Sequence, residues 1–539
     1  MNNIKDKLAL MAPSLVFGEG EPLTVTVPAG QFRDVAKSLR DDPQMRFDLL
    51  LCMTGMDWGE TLGVVYHLRS TELGHEIVLR TETADRENPE LQSVYDLSAN
   101  LNEREVYDFF GIRFIGHPDM RRLYLRNDWV GYPFRKDYNA SPDVNPVRLD
   151  SDETLDTAPA YELKDGKVEK HENVLFENDE YVVNIGPQHP ATHGVLRFRV
   201  SLAGETVQKV DVHCGYIHRG IEKMCESLTY PQTLALTDRL DYLSAHQNRH
   251  ALCMCIEQAM GIEIPERVQY IRTIMDELNR LSSHLLFWST LCMDLGALTA
   301  FFYGFRDREI VLDMMEETTG GRLIQNYNMI GGVAADIHPN LVKRVKDFIK
   351  YLPKMLDEYD EVFTGNVIAQ QRLKGIGILP KEVAVSYGVT GPSGRASGWS
   401  CDVRKLKPYG VYDKVQFDEV IRTGGDSFDR YLVRVDEIRQ SLHILEQLID
   451  NIPAGDYAVK TKPIIRLPEG QFFSSVEASR GEFGVYIESR GDKFPYRMKF
   501  RSPGLPLVSV VDYLASGSKI ADLIAIGGSL DYVVPDIDR

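Results

Sequence analysis

Pairs of histidines four residues apart occur twice in this 539-residue chain and are the first candidates for chemistry. On a helix, this spacing puts both imidazoles on one face, where they can chelate zinc. The pair His189 and His193 is different, because Pro190 disfavours helical geometry at the residue before it and Gly194 favours a turn. We therefore expect a tight loop between strands that presents at least one imidazole at its tip.

The second pair, His246 and His250, lies in a helical pattern, but no third ligand is evident. We interpret it as a surface or packed pair rather than a metal site. Among the seven cysteines, only Cys253 and Cys255 are close in sequence, inside an apolar helical pattern. An iron–sulfur cluster needs about four converging thiolates, so we expect this chain to carry no cluster.

Two further segments are dense in polar groups, at residues 218–220 (His-Arg-Gly) and 238–242 (Asp-Arg-Leu-Asp-Tyr). If these groups are buried, they must pair with one another or with a ligand. Each segment is therefore either a structural salt-bridge network or a binding site. Residues 388–398 are rich in glycine but lack the spacing of a dinucleotide site, so we interpret them as a flexible loop.

The composition excludes several classes of protein. Hydrophobic residues make up 43% and charged residues 26%, which excludes disorder. The net charge of −18 argues against a general nucleic-acid binder, whose affinity rests on neutralising phosphates. No run approaches the roughly 18 apolar residues that span a bilayer, and the N-terminus lacks the apolar run of a signal peptide. Sparse cysteine favours a reducing compartment.

The length indicates two or more domains. In residues 1–140, alternation of period two predicts strands at 23–27 and 63–68, and helical patterns occur at 31–39 and 99–110. This part is predicted to be a small α+β domain. Residues 141–180 contain 12 acidic and four basic residues and three prolines, which is typical of a charged, extended linker.

Residues 181–539 begin with strand patterns and become mainly helical. A long helix is predicted to begin at Pro265 and to end near Gly296. Further amphipathic helices are expected at 306–318, 341–363 and 428–449, and a hairpin at 484–487 and 496–500.

The polar segments also carry a resemblance to a known family. Residues 184–197, with the sequence NIGPQHPATHGVLR, resemble the opening of the 49 kDa, or D, subunit of respiratory complex I. Further similar segments occur at 218–223, 238–242, 293–297, 425–431 and 437–441. The first domain resembles the 30 kDa, or C, subunit, with signature segments at 103–112, 116–118, 121–123 and 131–138. The chain thus resembles a fused C/D subunit.

The resemblance implies a C-like domain at 1–140, an acidic linker at 141–180 and a D-like domain at 181–539. The D-like domain would resemble the large subunit of [NiFe] hydrogenases, with short β-sheets. That class holds its metals with two paired-cysteine motifs, one near each end of the chain. The corresponding regions here, 238–242 and 531–539, contain no cysteine, so hydrogenase activity is rejected.

The implied function is that of a peripheral-arm subunit of a proton-pumping NADH:quinone oxidoreductase. It would form one wall of a quinone chamber beside the [4Fe-4S] cluster of a neighbouring subunit. The resemblance places His193 and Tyr242 at the quinone head group, Asp294 beside His193, and Arg219 near that cluster. Such donors make chemical sense, because a quinone that takes up two electrons needs protons at its two oxygens.

The chain departs from the family pattern at two positions of interest. Cys401 replaces a common tryptophan and is interpreted as a packing substitution. Ile324 stands where many members have a histidine near the cluster. Because isoleucine cannot take up a proton, we expect a lower and less pH-dependent cluster potential, which suits a low-potential quinone such as menaquinone.

The expected partners are the cluster-bearing B subunit, the I subunit and the membrane H subunit, at the cytoplasmic face of the inner membrane. Two alternatives remain open. The chain would have the same role in a quinone-reducing complex fed by ferredoxin or a deazaflavin, or it would be a non-catalytic scaffold.

Overall fold

A computed structural model describes the chain except for residues 1, 19, 95, 97–99, 140–155, 178 and 189–192, and the side chains of residues 2, 3 and 11. Its first part is built around a sheet with the strand order β1-β2-β5-β4-β3. The elements of this part are α1 (Asn2–Met11), β1 (Val16–Phe17), β2 (Leu23–Thr26), α2 (Phe32–Asp41), β3 (Leu49–Asp57), β4 (Leu62–Arg69), β5 (Glu76–Thr83), β6 (Glu90–Gln92), α3 (Asn100–Phe110) and β7 (Arg113–Ile115).

In this sheet β2 pairs with β5 in parallel, and the other neighbouring strands are antiparallel. The predicted strands are confirmed as β2 and β4, and the predicted helices as α2 and α3. β6 and β7 form a separate parallel pair. The α+β character expected for this part of the chain is therefore present.

Part of the expected linker is folded. Residues 157–174 form the antiparallel hairpin β8 (Thr157–Lys164) and β9 (Lys167–Val174). The two-residue turn consists of Asp165 and Gly166, both with positive φ, which is the geometry that Asp-Gly favours in tight hairpins. The interpretation of 141–180 as a uniformly extended linker is wrong for these residues, because the Asp-Gly turn outweighs the charge pattern there.

The second part of the chain begins with three antiparallel strands and continues mainly as helices. Its elements are β10 (Tyr181–Ile185), β11 (Arg197–Ala203), β12 (Thr206–His213), α4 (Ile221–Cys225), α5 (Tyr230–Thr237), α6 (Ala245–Met260), α7 (Glu266–Asp294), α8 (Leu298–Thr319), β13 (Asn328–Met329), β14 (Gly332–Val333), α9 (Leu341–Tyr359), α10 (Val367–Leu373), α11 (Lys381–Tyr387), α12 (Gly391–Arg395), α13 (Val403–Leu406), α14 (Ser427–Leu448), β15 (Gly470–Ala478), β16 (Gly481–Ser489), β17 (Arg497–Arg501), α15 (Gly504–Ser509), α16 (Val511–Ala515), α17 (Ile520–Leu530) and α18 (Val534–Asp538).

The long central helix α7 begins immediately after Pro265, as predicted, and ends at Asp294, two residues before Gly296. It is buried along most of its length, and α6, α8 and α14 pack against it. The other three predicted helices are present as α8, α9 and α14, and α8 begins eight residues earlier than expected. The predicted hairpin is β16–β17, to which β15 adds a third strand.

The glycine-rich stretch 388–398 is not a flexible loop. It contains the buried helix α12, which begins at Gly391 with φ +70°. A Cβ at Gly391 would lie 2.4 Å from the Cα of Gly481, so this glycine permits close contact with the β15–β16 turn. The Arg395 side chain is fully buried and bonds to Glu437 and Glu477. Tertiary packing therefore orders a segment that looks mobile in sequence.

Both parts of the chain contribute to one continuous apolar core. Between the two parts, Arg69 of β4 donates two hydrogen bonds to Glu482 of β16, at 2.8 and 2.9 Å. In the described ranges no helix combines the length and apolar character needed to cross a membrane.

Candidate functional site

The imidazole of His193 bonds to a carboxylate at the end of the central helix. His193 lies in the loop between β10 and β11, and its Nε2 is 2.6 Å from Oδ2 of Asp294. The side chains of His193 and Asp294 are 16% and 5% exposed, respectively. Asp294 is the last residue of α7, so the helix fixes its position. This contact is the one that the family resemblance implies, while His189 lies outside the described residues.

The surroundings of His193 favour its protonated form. Burial alone would lower the pKa of His193, but the hydrogen bond and negative charge of Asp294 raise it above its ordinary value. The Asp531 carboxylate raises it further, and the Arg480 guanidinium opposes this effect. The C-terminus of α7 also carries partial negative charge, which favours a cation there. His193 can therefore hold a proton for transfer near neutral pH.

The C-terminal segment closes around this pair. A Cβ at Gly528 of α17 would lie 2.8 Å from Oδ2 of Asp294, so glycine leaves room for the carboxylate. A Cβ at Gly194 would lie 2.6 Å from Cγ2 of Val534. The ring centroid of Tyr532 is 6.4 Å from that of His193. The two glycines, Gly194 and Gly528, therefore allow the His193 loop, α7 and the C-terminal segment to pack closely together.

The phenol of Tyr242 belongs to the same electrostatic environment. Tyr242 lies three residues before α6, and its side chain is half-buried. Burial raises the pKa of Tyr242, with a further upward contribution from Asp241. Arg480 lowers it and Asp531 raises it, so the same two residues act on Tyr242 and His193. At neutral pH the phenol is protonated and can donate a hydrogen bond.

Sequence reasoning did not identify Arg480 or Asp531 as site residues. Arg480 is fully buried, and its Nη2 is 3.1 Å from Oδ1 of Asp531. The available signal at Asp531 was a single charge in otherwise apolar sequence, whereas Arg480 stands between Glu477 and Glu482 without such a signal. Such charges must be paired when buried, but sequence does not tell which partners they find.

The residues expected near a neighbouring cluster border the 238–242 segment. The exposed Arg219 donates from Nη2 to the carbonyl oxygen of Arg239 at 2.9 Å. Ile324 is half-buried, and two residues later the amide of Asn326 donates to Oδ2 of Asp238 at 3.0 Å. Burial raises the pKa of Asp238 to about 6, although the positive charge of Arg249 opposes this.

The second histidine pair is packed. Nδ1 of His246 and Nδ1 of His250 each lie 2.7 Å from one oxygen of Asp276 on α7. This confirms the packed alternative of the sequence interpretation. Across the described parts of the chain, no three or more His, Cys, Asp or Glu side chains are grouped so that they could hold a metal ion. All seven cysteines are free and buried.

Two family models match the chain. The model of the 49 kDa subunit of respiratory-chain NADH dehydrogenase matches residues 294–466 and 462–539. The model of the 30 kDa subunit matches residues 25–144. One chain therefore carries the features of two classes of subunit of a respiratory oxidoreductase.

Two relatives show the same combination, and a third is a D subunit alone. The fused C/D subunit of the NADH-quinone oxidoreductase of Phocaeicola vulgatus is 67% identical over 519 residues, covering 96% of this chain and 99% of the relative. That of Nitrosospira multiformis is 37% identical over 507 residues, covering 88% and 83%. The D subunit of the same oxidoreductase in Geobacillus kaustophilus is 44% identical over 366 residues, which is 68% of this chain and 100% of the relative. The chain belongs to the family of fused C/D subunits of NADH-quinone oxidoreductase.

Proposed function

We propose that this chain forms one wall of the chamber in which the oxidoreductase reduces quinone, with His193 and Tyr242 as donors to the head group. The observation that carries the proposal is the short contact of His193 with Asp294, which favours a protonated imidazole at the end of a loop. Tyr242 supplies a second donor under the influence of the same buried charges.

The chemistry requires two donors. A quinone that accepts two electrons gains negative charge on both carbonyl oxygens, and each oxygen takes up one proton. Nε2 of His193 faces Asp294, so the proton on Nδ1 is the one available for transfer. Asp294 then holds the neutral imidazole in one orientation, while the Tyr242 phenol donates to the other oxygen. The cluster of the neighbouring subunit would supply the two electrons.

A second protein of the complex closes the chamber in this proposal. A cleft of about 720 Å³ in the chain lies elsewhere, between the first sheet and β15, and is lined by Arg80, Gln258 and Phe473 among others.

We assign the C-like role to residues 1–140, the joining role to 141–180 and the quinone site to 181–539, on a hydrogenase-like scaffold. The B, I and H subunits are the partners, at the cytoplasmic face of the membrane.

The cluster-facing side of the proposal concerns Arg219 and Ile324. Arg219 keeps a positive charge beside the 238–242 segment, whereas Ile324 has no titratable group. A lower and less pH-dependent potential of the neighbouring cluster follows, because no proton is taken up at residue 324 upon reduction. This favours menaquinone as the substrate.

The test uses the assembled complex with NADH and a short-chain menaquinone analogue. His193→Ala and Tyr242→Phe are each expected to lower the rate of quinone reduction by roughly 10²-fold or more, the scale of losing a positioned proton donor. Reduction of ferricyanide by NADH, which draws electrons before the quinone, should be unchanged, and co-purification of the variant chain with the other subunits reports normal assembly.

A matched control is available in the same domain. His213 lies on β12, is 19% exposed and has its Nε2 2.8 Å from Oδ2 of Asp211, so it resembles His193 in burial and pairing. His213→Ala should retain most quinone reduction. If His193→Ala also retained it in a normally assembled complex, the proposed role would be refuted and the scaffold alternative favoured.

A further inference from the structure

The charge of one buried arginine, Arg480, acts on both proposed proton donors. Arg480 occupies the two-residue turn between β15 and β16, where Ala478 pairs with Gly481. The turn does not lie at the surface: Arg480 is 0% exposed. The preceding Ser479 donates from its amide and its hydroxyl to Oε1 of Gln247, at 3.2 and 3.1 Å. The hairpin therefore inserts its tip into the core and holds the guanidinium there.

The guanidinium of Arg480 joins three separate parts of the chain. Its Nη1 donates to Oδ2 of Asp241 at 3.0 Å and to Oγ of Ser283 at 2.9 Å. Its Nη2 donates to Oδ1 of Asp531 at 3.1 Å, and its Nε donates to the Asp531 carbonyl oxygen at 2.8 Å. Four directed bonds from one rigid planar group fix the Asp241 segment, α7 and the C-terminal segment relative to the β15–β16 hairpin.

Each of the two carboxylates is directly followed by a tyrosine of the site. Asp241 precedes Tyr242, and Asp531 precedes Tyr532, whose ring centroid is 6.4 Å from that of His193. Asp531 has a positive φ of 59°, an uncommon conformation for a residue other than glycine. The bonds from Arg480 to its side chain and to its carbonyl oxygen hold it in this conformation.

We infer that Arg480 is a positioning residue for quinone reduction, which holds the Tyr242 segment and the C-terminal segment beside His193 at a fixed separation and balances the charge of Asp531. The inference rests on the proposed function of His193. The charged groups that act on His193 are Asp294 at the end of α7, Asp531 and Arg480, and the Tyr532 ring lies close to it.

The charge balance gives a test that a purely structural role would fail. Arg480 lowers the pKa of His193 and Asp531 raises it. Removing the cation in Arg480→Gln should therefore keep His193 protonated to higher pH. Removing the anion in Asp531→Asn should deprotonate His193 at lower pH. The two changes break the same ion pair and yet should have opposite effects.

The measurement is the pH profile of NADH-driven reduction of a short-chain menaquinone analogue by the assembled complex. The alkaline limb should move to higher pH in Arg480→Gln and to lower pH in Asp531→Asn. Each shift should be about half a pH unit, which is the scale expected for loss of one charge in a partly buried site. Arg480→Lys keeps the charge but loses the planar geometry, so its limb should stay in place while its rate falls. Co-purification of each variant chain with the other subunits reports assembly.

The outcomes distinguish this inference from the proposed function. The role of Arg480 alone would be overturned if the alkaline limbs of Arg480→Gln and Asp531→Asn moved in the same direction. It would also be overturned if neither limb moved although His193→Ala abolished quinone reduction. Retained activity in His193→Ala would overturn the proposed function first. If Arg480→Gln does not assemble, the other two variants decide. The inference is supported if the alkaline limb of the pH profile stays in place in Arg480→Lys and moves to lower pH in Asp531→Asn. Any other pattern contradicts it.

Discussion

At the scale of single residues, the molecule sets the protonation of His193 through its partners. Burial would leave the imidazole neutral, and the contact of 2.6 Å with Asp294 reverses this tendency. Arg480 then lowers the pKa of His193, and Asp531 raises it. The partner carboxylate is 101 residues away in sequence, so residue spacing does not predict this contact, and only the family resemblance implies it.

The proposed effect of Ile324 on the neighbouring cluster is testable at the same scale. The potential of the neighbouring cluster should change by well under about 59 mV per pH unit, the value for one proton per electron. Ile324→His should raise the slope toward that value, because an imidazole there can take up a proton upon reduction. Redox titration of the complex at several pH values measures both slopes.

A slope near one proton per electron in the unaltered complex would contradict this expectation. The carboxyl of Asp238 would then be the next group to replace, since its pKa is raised to about 6 and it accepts a hydrogen bond from the Asn326 amide at 3.0 Å.

At the scale of elements, local pattern predicted the regular parts of the fold well. The period of 3.6 located α7 and α14, and alternation located β2 and β4, although α7 and β4 are buried on almost all sides. The β8–β9 hairpin was not predicted, although its Asp-Gly turn is a local signal. By contrast, α12 and the buried β15–β16 turn depend on contacts between distant segments. Neither they nor the position of Arg480 could be predicted from sequence.

The contact between α12 and the β15–β16 turn predicts a difference between two glycines. Gly388 and Gly391 both have positive φ, +68° and +70°. A Cβ at Gly388 would have its nearest neighbour at 3.7 Å, whereas one at Gly391 would meet Gly481 Cα at 2.4 Å. Gly388→Ala should cost about 1–2 kcal/mol from backbone strain alone.

Gly391→Ala should lower the free energy of unfolding by about 1–3 kcal/mol more, because the backbone of the turn must move. Denaturant unfolding of the purified chain measures the difference. Equal effects of the two substitutions would show that the turn is not held tightly by α12. In the complex, Gly391→Ala should also slow quinone reduction, since the turn carries Arg480.

At the scale of the whole molecule, the first domain supports the second. The rings of Phe109 and Tyr124 stack on His218, with centroid distances of 5.1 and 5.4 Å. Buried Glu105 of α3 bonds to Lys499 and Arg539 from the far end of the chain. Because His218 directly precedes Arg219, the C-like part helps to fix the residue assigned to the cluster side.

The same scale provides the most direct test of the central claim, that His193 and Tyr242 deliver protons to a quinone. The measurement is a structure of the assembled complex with a menaquinone analogue bound. We predict one carbonyl oxygen within hydrogen-bond reach, roughly 2.6–3.2 Å, of Nδ1 of His193, and the other near the Tyr242 hydroxyl. A head group bound elsewhere, with the imidazole enclosed by protein and out of its reach, would contradict the claim.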